Sequence, residues 1–449
     1  MTSHSASETR ILRDLGDGLI LRRARPADAD ALAQFNCDLH SGPFPGDAHR
    51  ATRDWIKDLM SGNHPAFHPR DFTIVEDTRT SAIIASLCLI PQVWSYDGVK
   101  VPVGLPELVG TREEYRKRGL VRAQFEVVHR WSAQRRHKLQ AIAGIPYFYR
   151  QFGYEMPLEL EGGRTGFISQ APALKKGEKE PYLLRPATEG DLPFISRVYR
   201  EGMKRYLVSA VRSRAVWRWE LTGRRRAAME RRELRVIETA KGERVGFLAH
   251  KAVPWLSGNA FGAEVCELKP GVSWLAVTPS LVRYLVTTGK KYAARANKEL
   301  RRFSFWLGSE HPVYQVIPSL LSDKRPPYSF YIRVPDLPDF LTHIAPALER
   351  RLAESVAVGH TGELKLNFYR GGLRLVFRRG RLTQAVPWRP GGGSSAGFPD
   401  LTFLQLLFGR QSLEELCGAY PDCYASSDEA DLLLEVLFPK RPSSVWTVV

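Results

Sequence analysis

The chain has 449 residues and a formal net charge of +17, with 43% hydrophobic and 25% charged residues. That length predicts roughly two to four domains rather than one core. The balance excludes a disordered chain, and no apolar run approaches the ~20 residues that cross a bilayer, so no membrane span is expected.

The start, "MTSHSASETRILRDLGDG", has no apolar segment and does not read as a secretion signal. Five cysteines, Cys37, Cys88, Cys266, Cys417 and Cys423, have neither Cys-x-x-Cys spacing nor a histidine cluster, which predicts reduced thiols, a cytoplasmic protein and no metal site. The basic clusters, among them "YRKRG", "LTGRRRAAMERREL" and "GKKYAARANKELRR", are scattered and read as solvated faces of helices or hairpins. Without a nucleic-acid module they speak for solubility, and nucleic acid is not an expected partner.

Taken in chain order, "LILRRARPADADAL" from Leu19 reads as a short strand entering a helix through a polar junction. The pattern Arg-x-Ala-x-x-x-Asp, at Arg22, Ala24 and Asp28, recurs in "YLLRPATEGDLPFI" as Arg185, Ala187 and Asp191, which predicts two copies of one unit. Between them "SQAPALKKGEKEP" reads as a linker. The first copy continues with helices near "DADALAQFNCDLHS" and "HRATRDWIKDLMSG" and strands near "DFTIVEDT", "SAIIASLCLIPQVWSYDG" and "VKVPVGLPELVG", with "YDG" as a hairpin turn. Past "YRKRGL", Leu120, Val121, Phe125, Val128 and Trp131 recur at helical spacing, and "LQAIAGI" reads as a buried strand.

"YRKRGL" therefore stands where a strand passes into a helix. The first turn of a helix leaves backbone N–H groups without acceptors, and the aligned peptide dipoles favour anions there. Gly119 would let the backbone approach a phosphate, and Arg116, Lys117, Arg118 and Arg122 could neutralise a pyrophosphate. Neither Gly-x-Gly-x-x-Gly nor Gly-x-x-x-x-Gly-Lys-Ser/Thr is present, so dinucleotide and nucleoside-triphosphate loops are not indicated.

"ELVGTREEYRKRGLVRAQFE" resembles the acetyl-CoA motif of the GNAT acyltransferases, with Arg116 and Gly119 matching its Gln/Arg-x-x-Gly loop, although Val121 stands where many members have glycine or alanine. "AIAGIPYFYRQFGYE" resembles the family's following strand and short helix. The whole layout, including "DLTFLQLLFGRQSLEEL" and "ADLLLEVLFPKRPSSVW", resembles the Eis-like acetyltransferases. That resemblance implies an α/β (α+β) chain: a catalytic GNAT domain over 1–168, a degenerate GNAT-like domain over 181–335 and a sterol-carrier-like domain over 336–449. In the second unit, "SWLAVTPSLVRYLVTTGKK" offers Thr278 and Pro279 as an N-cap and first-turn pair in place of a basic glycine turn. His311 reads as structural.

By the same resemblance, acetyl-CoA is the acyl donor and a small-molecule amine or protein lysine the acceptor, and the protein is a homo-oligomer. Leu108, Val109, Gly110 and Thr111 would pair with the pantetheine arm. The pyrophosphate would lie against Lys117, Arg118, Gly119, Leu120, Val121 and Arg122, with Gly144 and Ile145 flanking the cofactor. Tyr149 matches the family's general acid, and Asp38 is a candidate for attracting the amine. The tail "FPKRPSSVWTVV", barred from helix by Pro439 and Pro442, is expected to run extended, with the carboxylate of Val449 as base and Glu107 as the alternative. A sterol-carrier-like region leaves a second class open, a lipid-binding or scaffolding protein with a relic acetyltransferase domain, and the intact basic turn argues against it.

Overall fold

The computed structural model describes residues 11–40, 47–251 and 259–449. The first unit opens with a hairpin of β1 (Ile11–Gly16) and β2 (Leu19–Arg23), followed by α1 (Ala29–His40) and α2 (Asp47–Met60). β3 (Phe72–Asp77), β4 (Ala82–Tyr96) and β5 (Val99–Thr111) form an antiparallel meander. Then α3 (Leu120–Gln134) crosses back to β6 (Leu139–Ile142), parallel to β5, and β7 (Glu155–Leu160) follows. Successive residues of a strand face opposite sides. Cys88 and Ile90 of β4 thus enter a core with Leu32 and Ile56 of α1 and α2, while Leu87 and Leu89 enter a second core with Phe125 and Val128 of α3. This two-sided burial is why β4 reads as an unbroken apolar run.

The second unit comprises β8 (Gly163–Phe167), β9 (Tyr182–Pro186), α4 (Leu192–Met203), β10 (Val208–Ala210), α5 (Arg214–Arg218), β11 (Arg232–Thr239) and β12 (Arg244–Lys251). It continues with β13 (Ala260–Leu268), α6 (Trp274–Arg295), β14 (Arg302–Phe305), α7 (Pro312–Val316), β15 (Asp323–Arg325) and β16 (Tyr328–Arg333). The expected repeat is present in three dimensions. Arg22 donates two bonds to Asp28, at 2.8 and 2.9 Å, and pairs with Glu76 on the next strand. Arg185 does the same with Asp191, at 2.7 and 2.9 Å, and with Glu238.

The sheets exchange strands across the expected boundaries at 168 and 335. The first sheet runs β1-β2-β3-β4-β5-β6-β16-β7, with β10 added on β4, and the second runs β15-β8-β14-β13-β12-β11-β9. β8, expected in the first unit, thus belongs to the second sheet, and β16, expected in the second, inserts between β6 and β7. The chain leaves the first sheet at Gly163, where a Cβ would stand 2.3 Å from the Phe305 carbonyl oxygen, so the crossing depends on glycine.

The third region has α8 (Leu337–Ala353), β17 (Gly362–Asn367), β18 (Gly372–Arg378), β19 (Arg381–Trp388), β20 (Ala396–Gly397), α9 (Phe403–Leu407), α10 (Leu413–Ala419), β21 (Tyr424–Ala425) and α11 (Asp428–Leu437). Its sheet, ordered β19-β18-β17-β20-β21, packs through Leu366 and Leu375 into a core shared with the first unit. Beyond Phe438 the tail is irregular, as the prolines require, and Ser444 bridges to Ser209. Among the described residues no helix is long and apolar enough to cross a membrane.

The two Arg–Asp junctions differ in exposure: the Arg22 side chain is 6% exposed and that of Arg185 38%. Without Asp28 the buried Arg22 keeps only Glu76 and water reaches it poorly, whereas water can take the place of Asp191 at the more exposed Arg185. Asp28→Ala should therefore lower the chemical-denaturation midpoint clearly more than Asp191→Ala does.

Candidate active site

The site begins where two parallel strands stop pairing. β5 and β6 are in register at Val103–Leu139 and Gly104–Gln140, yet β5 runs on to Thr111. Beyond Gly104 the two strands diverge and leave a wedge between their backbones. On the other edge of β5 the ladder with β4 passes from Cys88–Glu107 to Ser86–Gly110, so two residues face one across a bulge. Leu108 sits there at a φ of 55°, and its carbonyl accepts from Ser86 Oγ at 2.9 Å. A bulge re-aims backbone groups at a cost, and such features gather at active sites. Thr111 Oγ1, at the strand end, is buried without a hydrogen-bond partner.

The cationic loop closes one end of the wedge. α3 forms its first bond from Ala123 N–H to Gly119 O, so the N–H groups of Leu120, Val121 and Arg122 have no acceptor within the helix. Gly119 is left-handed, at a φ of 75°, and a Cβ built on it would meet nothing within 4 Å. The protein thus leaves open space where the sequence offers a bare backbone. Arg116, Lys117, Arg118 and Arg122 are all exposed around it. Arg118 is held by Asp17 at 2.8 Å, and Arg122 bonds Gln151 at 3.0 Å. An unfilled cradle, free N–H groups, four cations and an orphaned hydroxyl fit a CoA pyrophosphate and its arm.

The other wall is the segment after β6. A Cβ on Gly144 would lie 1.9 Å from Cε2 of Tyr149, so the ring rests directly on that glycine. Tyr331, brought in by the exchanged strand β16, accepts from Tyr147 N–H at 2.6 Å and donates to Ile145 O at 3.1 Å. Its ring also packs edge-on to Tyr149, with centroids 5.4 Å apart. Tyr149 is 5% exposed, and burial with the nearby Glu107 carboxylate pushes its phenol well above the usual range, so it holds its proton.

Glu107 lines a cavity of about 340 Å³ between the first and second units. Burial and the negative charge of Glu230 raise its pKa to about 8, opposed by a hydrogen bond from Leu108 N–H. The tail supplies another wall. Trp446 and Val449 are 8% and 6% exposed and line the same cavity. Trp446 packs against Tyr199 and Trp217 of the second unit, and Val448 exchanges two bonds with Gln92 of the first, at 2.8 and 3.1 Å. The tail is thus clamped between units rather than docked on its own region. Arg212 donates to Trp446 O at 2.9 Å and Arg224 to Val449 O at 2.5 Å, and both arginines pair at 2.8 Å with Glu220, all three side chains being fully or nearly fully buried.

Sequence reasoning missed this clamp. "LTGRRRAAMERREL" read as a solvated face, but Arg224 is buried and Arg232 pairs with Glu230 and Glu264. Nothing in a local run of arginines tells a solvated face from one that meets carboxylates elsewhere in the chain. Asp38 is exposed on α1, bonded by Gln34 at 2.6 Å, and is not among the residues lining the cavity.

In the second unit β13 pairs with β14 from Ala260–Arg302 to Ala263–Phe305, and Trp306 N–H bonds Ala263 O at 2.8 Å. β13 likewise runs on, to Leu268, past its last pairing; what differs is the turn into the following helix. The expected cap at Thr278 is corrected: α6 starts at Trp274, and Ser273 Oγ accepts from Ala276 N–H at 3.3 Å. Thr278 lies inside the helix, its Oγ1 donating to Trp274 O at 2.7 Å, and Pro279 stands inside the helix after it. His311 caps α7, as a structural histidine would, with Nδ1 accepting from Val313 N–H at 3.2 Å.

Residues 23–156 match the family model of the acetyltransferase (GNAT) domain. The match marks the first unit as an acetyltransferase (GNAT) domain and supports an acyltransferase. Among solved structures, a probable N-acyltransferase from Enterococcus faecalis V583 is similar at a TM-score of 0.67 and 15% identity, over 96% of this chain and 99% of that one. A GCN5-related N-acetyltransferase from Anabaena variabilis ATCC 29413 is similar at 0.65 and 13%, over 95% and 98%. Eis1 from Mycobacterium abscessus is similar at 0.57 and 12%, over 96% and 99%. At these identities the likeness is one of fold. No curated protein matches the chain in sequence.

Two outcomes follow. Gly119→Asp should cost about 1 kcal/mol of stability, from its left-handed backbone alone, while CoA affinity by calorimetry falls below detection. Glu107→Gln should behave differently with pH. A carboxyl whose folded pKa is raised destabilises progressively as pH rises from its unfolded value towards the folded one. The variant should therefore match the parent near pH 4 and exceed its melting temperature by a margin that grows up to about pH 8 and then levels off.

Proposed function

We propose that the protein is an acetyl-CoA-dependent N-acetyltransferase that acetylates a primary amine, with Glu107 as base and Tyr149 as acid. The observation that carries this reading is their proximity: a carboxyl near pKa 8 on β5, without an ion pair among the described residues, close enough to act on a protonated phenol in the short helical turn after β6. A general base is most effective when its pKa lies near the working pH. Glu107 can therefore take a proton from an ammonium that an ordinary carboxylate would leave in place.

Acetyl-CoA would supply an activated acyl group and a thiolate leaving group. Leu108 to Thr111 would hold its arm along the unpaired edge of β5, and the bulge would offer a backbone N–H to the acyl oxygen. Arg116 to Arg122 would take the pyrophosphate, with Gly144 and Ile145 opposite. Tyr149 would hand its proton to the departing sulfur, helped by the rigid seat that Gly144 and Tyr331 give its ring. Val449 is the second candidate for the base, through its terminal carboxylate. Its oxygen is already bonded by the Arg224 guanidinium, which lowers its basicity, so Glu107 is preferred.

The same reading keeps the division into a catalytic unit, a degenerate GNAT-like unit and a sterol-carrier-like region, with strands exchanged between the first two. The serine cap that opens α6, in place of a left-handed glycine cap among basic residues, supports the degeneracy. A cytoplasmic homo-oligomer follows from the resemblance, and free thiols at all five cysteines agree with a reducing compartment.

Glu107→Gln should lower kcat about 100-fold or more and remove an ascending limb of the pH–rate profile centred near pH 8. Tyr149→Phe should slow turnover with CoA affinity within about twofold, since it deletes a hydroxyl and little volume. A titration should give one CoA per chain, and two equivalent sites would show that the second unit binds as well.

A further inference from the structure

The cavity's charges are unevenly compensated. Six glutamates line it. Glu159 pairs with Arg410 at 3.4 Å, Glu161 with Arg325 at 3.4 Å, Glu230 and Glu264 with Arg232 at 3.1 and 2.5 Å, and Glu267 with Arg205. Among the described residues, Glu107 is the cavity carboxylate for which the structure shows no ion pair; its recorded partner is the N–H of Leu108. Six aromatic side chains, Trp55, Tyr199, Tyr206, Trp306, Phe330 and Trp446, share the rest of the wall with aliphatic and small residues and with Lys251.

These two facts bear on the acceptor. A polycation needs several uncompensated carboxylates, and here each further ammonium would have to displace a guanidinium from an existing pair. A single ammonium, by contrast, finds one carboxylate free. Aromatic walls favour a flat apolar body and attract a cation through their π faces. The volume of about 340 Å³ suits one such molecule, near the lower end of the roughly 300–1,000 Å³ of small-ligand sites.

We propose that the acceptor is an arylalkylamine: a primary amine with one positive charge on a short chain, its ammonium at Glu107 and its ring against the aromatic wall. The proposal rests on the acetyltransferase reading above, since it makes the same carboxylate both anchor and base. Arg232 and Arg325 act as specificity residues, because by occupying their glutamates they remove the sites a polyamine would use.

The test is calorimetric titration of the full chain with 2-phenylethylamine and with spermidine, alongside thiol release from acetyl-CoA with each amine. Phenylethylamine should bind about tenfold more tightly or better. Its affinity should change little between about 50 and 300 mM salt, since one buried contact is poorly screened. In Arg325→Gln, which frees Glu161 at the exposed rim, the ratio of spermidine to phenylethylamine affinity should rise about threefold or more. Equal or tighter binding of spermidine by the parent, no detectable binding of phenylethylamine at about 10 mM, or an unchanged ratio in the variant overturns the proposal. Tight phenylethylamine binding without thiol release would leave the specificity standing and sink the acetyltransferase reading, while thiol release with spermidine alone would do the reverse.

Discussion

Two parallel strands that share a register and then part company govern everything at this site. β5 and β6 are held together at Val103 and Gly104, and from there the backbone of β5 has no neighbour on one side. Unpaired backbone is costly unless something satisfies it, so the protein carries a standing demand for an extended partner rich in amides. In the proposed reading, an acyl-CoA arm would meet that demand. The bulge at Leu108, the cationic turn and Tyr149 all take their positions from this parting. The second unit shows the alternative: the helix after β13 begins on an ordinary serine cap, and no left-handed glycine cap among clustered cations stands there.

The strand exchange ties this local geometry to the whole chain. β16 enters the first sheet directly after β15 of the second, and its Tyr331 fixes the turn at Ile145 and Tyr147 on which Tyr149 depends. The tail does similar work from the far end of the chain. Through Gln92, Arg212 and Arg224 it spans both units and closes the cavity that Glu107 faces. The first unit is therefore completed by segments from the two regions that follow it.

Much of this was legible in the residues. The Arg-x-Ala-x-x-x-Asp repeat announced two related units, because the pairing it encodes is local and recurs at the same spacing. The basic turn at Gly119 and the YDG hairpin were legible for the same reason. What escaped was non-local. No pattern within "YSFYIR" says that it will pair with strands some 170 to 190 residues earlier. Equally, nothing in "MERREL" says that its charges will be buried against one another. Asp38 was named through the resemblance, but it lies on the exposed face of α1, where a carboxylate is solvated. Glu107 was visible as a carboxylate on the cofactor strand, while the burial and the neighbouring Glu230 that lift its pKa arise only when the units close.

Hydrogen exchange of the full chain with and without CoA tests the central claim most directly, because it reads the unpaired backbone itself. The account predicts strong CoA-dependent protection confined to residues 108–122 and 143–149, with none at the corresponding strand end and helix start of the second unit, residues 266–277. Protection at 266–277, or an unprotected 108–122 under saturating CoA, would contradict it.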